Sequence, residues 1–221
     1  MKDKFIDIGL KTKEFIIKNK KGIIVGLVAV VIVSGGSFFI KNLSSPKLSL
    51  EGPKEKIVAS NRDEIVIPAV LSKLPGNSYP AASVTIDFNK NKLEFVEIRI
   101  GTMETYDDYD ESKDEEPRFK IPEWVYNTET ANQDGVIKAM YLDTTASKNA
   151  YSQDGFEKDK KDIPFQLVFK LKDSVIAKDK LEISISQAVF ATVNGDEDKS
   201  TLSTKDGYGK LKVEDAELKI K

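Results

Sequence analysis

Histidine and cysteine are both missing from the 221 residues. Without histidine there is no Ser-His or Cys-His nucleophilic couple, no imidazole general base, and none of the commonest zinc ligand. Without cysteine there is no disulfide and no thiol to carry a lipid, so an exported domain of this chain is held by its apolar core alone. A pair of carboxylates acting on a glycosidic bond would survive these absences. With 36 Asp and Glu residues, however, some pair always stands at a workable spacing, so the pairing argues for nothing. The composition argues against catalysis, and no cofactor is assigned.

With 40% hydrophobic and 32% charged residues, the chain is long enough for one well-packed domain and an additional segment. That segment is IIVGLVAVVIVSGGSFFI, Ile23 to Ile40, 18 residues without a charge, which meets the lower limit for a membrane-spanning helix. Residues 1–22 carry seven lysines against Asp3, Asp7 and Glu14, and only Lys41 follows the apolar run closely. The positive-inside bias puts the N-terminus in the cytoplasm and everything past the linker, residues 41–46, outside the cell. Ser34-Gly35-Gly36 also fits the cleavage site of a signal peptide. Phe38-Phe39-Ile40 continues the apolar run beyond that point, which favours an uncleaved, single-pass anchor in the cell membrane. A charge of +5 over residues 1–41 and −2 over the whole chain leaves −7 for the rest. That is a poor surface for nucleic acid, whose binding rests on Lys and Arg against phosphates.

Residues 47–221 carry the two-residue period of strands. Ile65, Ile67, Ala69 and Leu71 alternate, as do Val84, Ile86 and Phe88, then Phe165, Leu167, Phe169 and Leu171, then Leu181, Ile183 and Ile185. Each run has one dry face and one wet face, and two stacked sheets bury the dry ones. Turn signals separate the runs at Pro75-Gly76-Asn77, Asn89 to Asn91, Asp134-Gly135, Asp154-Gly155, Asn194-Gly195 and Asp206-Gly207. Eight or nine strands and no long helix give an all-β, antiparallel sandwich. Leu93 and Phe95 take one parity and Val96, Ile98 and Ile100 the other, which predicts a bulge near Phe95-Val96.

Two stretches have calcium-loop features. Glu104 to Glu116, ETYDDYDESKDEE, packs acids around one lysine, but without the alternation and glycine turn of a calcium loop it reads as a solvated loop. Asn194 to Ser200 places oxygen ligands at alternate positions, but it lacks glycine at the sixth position and has Lys205 in place of the bidentate acid. It reads as a hairpin turn, and no metal site is assigned.

The stretch VTIDFNKNKLEFVEIRIG, Val84 to Gly101, resembles the signature of cohesin domains: a strand ending in an aromatic and a turn, then a Leu-Glu strand closing at glycine. EIVIPAVLSKLPGN resembles the family's early strand and turn, and GVIKAMYLD its central strand. PFQLVFKLK is similar to its Phe- and Lys-rich strand, and AVFATVNGD to the segment before its last turn. The resemblance covers about residues 47 to 215 and implies a nine-strand jelly-roll sandwich. It also implies the family's role, binding dockerin-bearing proteins, typically carbohydrate-active enzymes, at the cell surface. Dockerins fold around calcium, so the metal requirement belongs to the partner. Carried over residue by residue, the partner-binding positions are Ser83, Thr85 and Asp87 on the strand before the turn, Lys138 and Met140 on the central strand, and Asp143 at its end. The chain departs from first-type members at Ala81 and Ser83, where they have longer polar side chains, and at Asn89-Lys90, where they have Asp-Pro.

Two other readings stay open on the residues alone. An adhesive or polysaccharide-binding surface would display aromatics, for which Tyr106, Tyr109, Trp124, Tyr126 and Tyr151 are the candidates. A structural ectodomain would make its specific contacts through the membrane helix, where Gly26, Ser34, Gly35 and Ser37 permit close packing.

Overall fold

The computed structural model describes residues 45–105, 122–145, 149–156, 161–193 and 200–221. The predicted cytoplasmic segment 1–22, the membrane helix 23–40 and most of the linker 41–46 lie outside the described residues. So do most of the acidic segment 104–116 and of the loop 194–200. Among the described residues, no helix is long and apolar enough to cross a membrane.

The alternating runs become strands with the expected faces inward. In chain order the first elements are β1 (Lys47–Leu50), β2 (Ile65–Leu71), β3 (Ala81–Phe88) and β4 (Leu93–Ile100), then a short helix α1 (Thr128–Asp134) and β5 (Val136–Leu142). They are followed by β6 (Phe165–Leu171), β7 (Lys180–Ala191), β8 (Leu202–Ser203), β9 (Gly209–Lys210), β10 (Lys212–Glu214) and β11 (Ala216–Lys219). One sheet has the order β10-β1-β2-β6-β4 and the other β5-β3-β7-β8-β9, with β11 also pairing with β7. Ile67, Ala69, Val84, Ile86, Phe165, Leu167, Phe169, Leu181 and Ile183 are all buried between the two sheets.

The described residues form eleven strands where nine were expected. The excess is local. β8 and β9 are two-residue pieces, too short to show an alternation, and they pair in parallel. β10 and β11 are one C-terminal run divided at Asp215, where the chain leaves one sheet for the other. The Asp215 carboxylate accepts the Ile185 N–H at 2.8 Å, fixing that crossing to β7. β10 runs parallel to β1, a further departure from the wholly antiparallel expectation.

The predicted bulge is present: the β4 to β6 register slips between Phe95 and Glu97. Phe95 points into the core and Ile98 packs against it, whereas Ile100, at the strand's end, stays exposed. The Asn132 side chain clamps the outer edge of β4 here, accepting from Phe95 N–H at 2.9 Å and donating to Phe95 C=O at 2.8 Å. The helix that carries it starts where Asn127 Oδ1 accepts from Thr130 N–H at 2.8 Å. It stops at Gly135, whose φ of 76° is the left-handed cap that favours glycine, so Asp134-Gly135 closes a helix rather than a hairpin.

Candidate functional site

β3 lies between β5 and β7 and sends Val84, Ile86 and Phe88 inward, so Ala81, Ser83, Thr85 and Asp87 face solvent. On β5 the same alternation sends Ile137, Ala139 and Tyr141 inward and Lys138, Met140 and Leu142 out. Register brings the predicted residues together: Ser83 is opposite Met140, Thr85 opposite Lys138, and Asp87 opposite Val136. On the far side Ser83 meets Val189 and Thr85 meets Gln187. Five of the six predicted positions therefore share one outer sheet face.

Asp143, the sixth, lies just past the end of β5. Its Oδ1 accepts from Thr145 N–H at 2.8 Å and Thr145 Oγ at 2.6 Å, and its Oδ2 accepts from Asn149 N–H at 3.3 Å. Its own N–H donates to Pro80 C=O at 2.7 Å. The carboxylate organises the loop after β5.

The face also contains residues that the sequence reading missed. Val125 and Met140 exchange both backbone hydrogen bonds, at 2.8 and 3.0 Å, which adds a bridging residue outside β5 and sets the two side chains side by side. Val125 is 70% exposed, Met140 52% and Leu142 60%. With half-buried Ala81, Val189 and Ala191 they make one end of the face apolar. Leu142 was legible from the alternation that placed Met140, whereas Val125 sits in a segment with no strand pattern and arrives only through pairing. The other end is polar, with Lys138, Thr85, Gln187, Asp87 and Ser184. Among the described residues no ion pair involves Lys138. The opposite sheet differs: its outer face carries Arg99 bonded to Glu97 at 2.6 Å and to Glu64.

Among the described residues the aromatic candidates do not form a platform. Trp124 is buried against Phe165, and its Nε1–H donates to the buried Tyr151 hydroxyl at 3.1 Å. Burial holds the Tyr151 hydroxyl protonated well above the ordinary tyrosine range. Tyr126 is half-buried with its ring edge on Phe95, while Tyr106 and Tyr109 lie outside the described residues. Burial, and then the Asp143 charge, push Tyr141 up to about 12. Its hydroxyl donates to Asn149 C=O at 2.5 Å, so it serves the same loop as Asp143. Among the described residues no three His, Cys, Asp or Glu side chains are grouped to hold a metal ion.

The described residues form a two-sheet sandwich in which one sheet face ends in exposed apolar side chains. Solved structures place it more closely. The sixth cohesin of scaffoldin B from Acetivibrio cellulolyticus, solved in complex with a Cel5 dockerin mutant, is 21% identical. The match covers 80% of this chain and 100% of that one, with a TM-score of 0.53. The OlpA cohesin of Clostridium thermocellum, solved in a type I cohesin-dockerin complex, is 14% identical over 80% of this chain and 100% of that one, also at 0.53. The third ScaC cohesin of Acetivibrio cellulolyticus, in complex with a ScaB dockerin, is 12% identical over 79% and 98%, with a TM-score of 0.53. No family model and no curated protein matches the sequence. At these identities the likeness establishes the fold: residues 46–221 form a cohesin-like domain.

Proposed function

We propose that this domain docks dockerin-bearing proteins, carbohydrate-active enzymes among them, at the outer surface of the cell, held in the membrane by residues 23–40. The observation that carries the reading is an exposed sheet face, β5, β3 and β7, on a fold shared with cohesins solved in complex with dockerins. A face of this kind buries on the order of 800 Å² per partner in a stable complex. Calcium enters through the partner, whose loops fold around it.

The test is capture of the organism's own secreted and envelope proteins on the full chain in mild detergent, with calcium and again with chelator. A dockerin-bearing protein retained only with calcium is the expected result. Retention that survives excess chelator contradicts the mechanism, and capture of no dockerin contradicts the function. The anchor is tested separately: the chain stays with membranes after alkaline carbonate extraction, and deletion of residues 23–40 releases it. Polysaccharide binding is less well supported, because Trp124 and Tyr151 are buried where a sugar platform needs exposed rings.

A further inference from the structure

With cysteine and histidine missing, the thioether of methionine is the softest oxidisable group the chain offers. There are three methionines, and Met1 lies outside the described residues. Met103 is 1% exposed and packed in the core, whereas Met140 is 52% exposed on the outer face of β5. The Trp124 indole, another oxidisable group, is buried. Exposure therefore singles out Met140 among the described residues. Its backbone N–H and C=O are both bonded to Val125, so a reaction at sulfur alters the side chain and leaves the strand in place.

We propose, resting on the docking reading above, that Met140 is a peroxide-sensitive modification site whose conversion to the sulfoxide releases the docked partner. A sulfur lone pair attacks one oxygen of hydrogen peroxide, the S–O bond forms as the O–O bond breaks, and the other oxygen takes the remaining proton and leaves as water. Sulfur loses two electrons and the peroxide gains them. The product replaces a flexible apolar side chain with one that carries a strong hydrogen-bond acceptor. Val125 beside it and Leu142 further along β5 offer that oxygen no donor, and the Ser83 hydroxyl opposite can supply one at most. In the free domain water completes its shell. A partner seated over this end must strip that water and leave the acceptor short of donors, so docking weakens while folding does not. The change is reversible, because a methionine sulfoxide reductase returns the thioether: a dithiol is oxidised to its disulfide and the oxygen leaves as water.

The experiment treats the full chain in mild detergent with hydrogen peroxide, removes the peroxide with catalase, and only then adds the organism's secreted and envelope proteins in calcium. Trypsin separates the two sites, placing Met103 in Ile100–Lys113 and Met140 in Ala139–Lys148. Mass mapping is expected to show one added oxygen on Met140 at least about tenfold faster than on Met103. Equal rates, or a refractory Met140, overturn the proposal whatever the docking result. The oxidised chain is expected to bind a captured dockerin-bearing protein at least about fivefold more weakly, with thermal unfolding unchanged, and to recover after reductase and dithiol. Full binding by the oxidised chain overturns the switch and leaves docking intact. No dockerin captured by the untreated chain overturns both. Met140→Leu keeps the hydrocarbon without the sulfur and is expected to dock with or without peroxide, whereas Met140→Gln is weakened throughout. Loss of docking by the peroxide-treated Leu variant would place the sensitive group elsewhere and overturn the assignment.

Discussion

Asp143 holds together a loop that its sequence neighbourhood does not announce. Three donors converge on one carboxylate, two from Thr145 and one from Asn149, and Tyr141 closes the same loop from below. Asp143→Ala removes all three contacts, and urea unfolding is expected to show a loss of about 1–3 kcal/mol. A residue acting only as a partner contact would leave stability unchanged. Trp124 makes a parallel case. Trp124→Phe keeps the ring packed on Phe165 but leaves the buried Tyr151 hydroxyl without its donor, at a cost of about 1–3 kcal/mol. Neither role is legible from composition, because each depends on a partner 27 residues away for Trp124 or on backbone groups of a loop for Asp143. Ser83, Thr85, Lys138 and Met140 were legible because a period of two assigns a face without reference to partners.

At the scale of elements, the end of β4 makes the strongest demand on sequence. A Cβ on Gly101 would stand 1.6 Å from the Ile163 carbonyl oxygen, because the chain entering β6 passes directly against it. Thr102 and Met103 both donate to that oxygen, so it cannot retreat. Gly101→Ala is expected to cost about 3 kcal/mol or more by denaturant unfolding. Gly76→Ala, with nothing within 4 Å of the added atom, serves as the neutral control. Equal effects at the two sites would show that the close approach is not what holds Gly101. The long strands, their inward faces and the β4 bulge were readable in the sequence because hydrophobic alternation and its change of phase report them. The pairing of Val125 with Met140 and the splitting of the C-terminal run at Asp215 were not. Both arise where a segment with no period of its own is captured by a neighbour already in place. The Asn132 clamp belongs with them, since an asparagine in TETANQDG carries no sign that its amide completes the edge of a strand 37 residues earlier.

Across the whole folded domain, the absence of histidine sets how stability responds to pH, since no side chain with an ordinary value near neutrality is present. On the acid side, Asp179 is held below its ordinary value by the Ile176 N–H and then by Lys92, and Glu214 by Lys47 and then by Ser49. A lowered carboxylate adds stability above its unfolded value. That contribution is lost as pH falls from those values, 3.8 and 4.5, through the lower folded ones. On the alkaline side, Tyr141 rises from 10 to about 12 by burial, so its contribution is complete below pH 10 and disappears as pH climbs to about 12. Urea midpoints are therefore expected to be level from about pH 6 to 9 and to fall on both sides. Asp179→Asn makes the acid limb shallower, leaving the Glu214 share, and Tyr141→Phe makes the alkaline limb shallower between pH 10 and 12, leaving the share of the buried Tyr151. A marked slope through pH 6–8 that neither variant alters would place the controlling group elsewhere in the chain. A level response also separates the domain's own stability from the docking proposed above, so release of a partner by acid near neutrality would not come from unfolding of this domain.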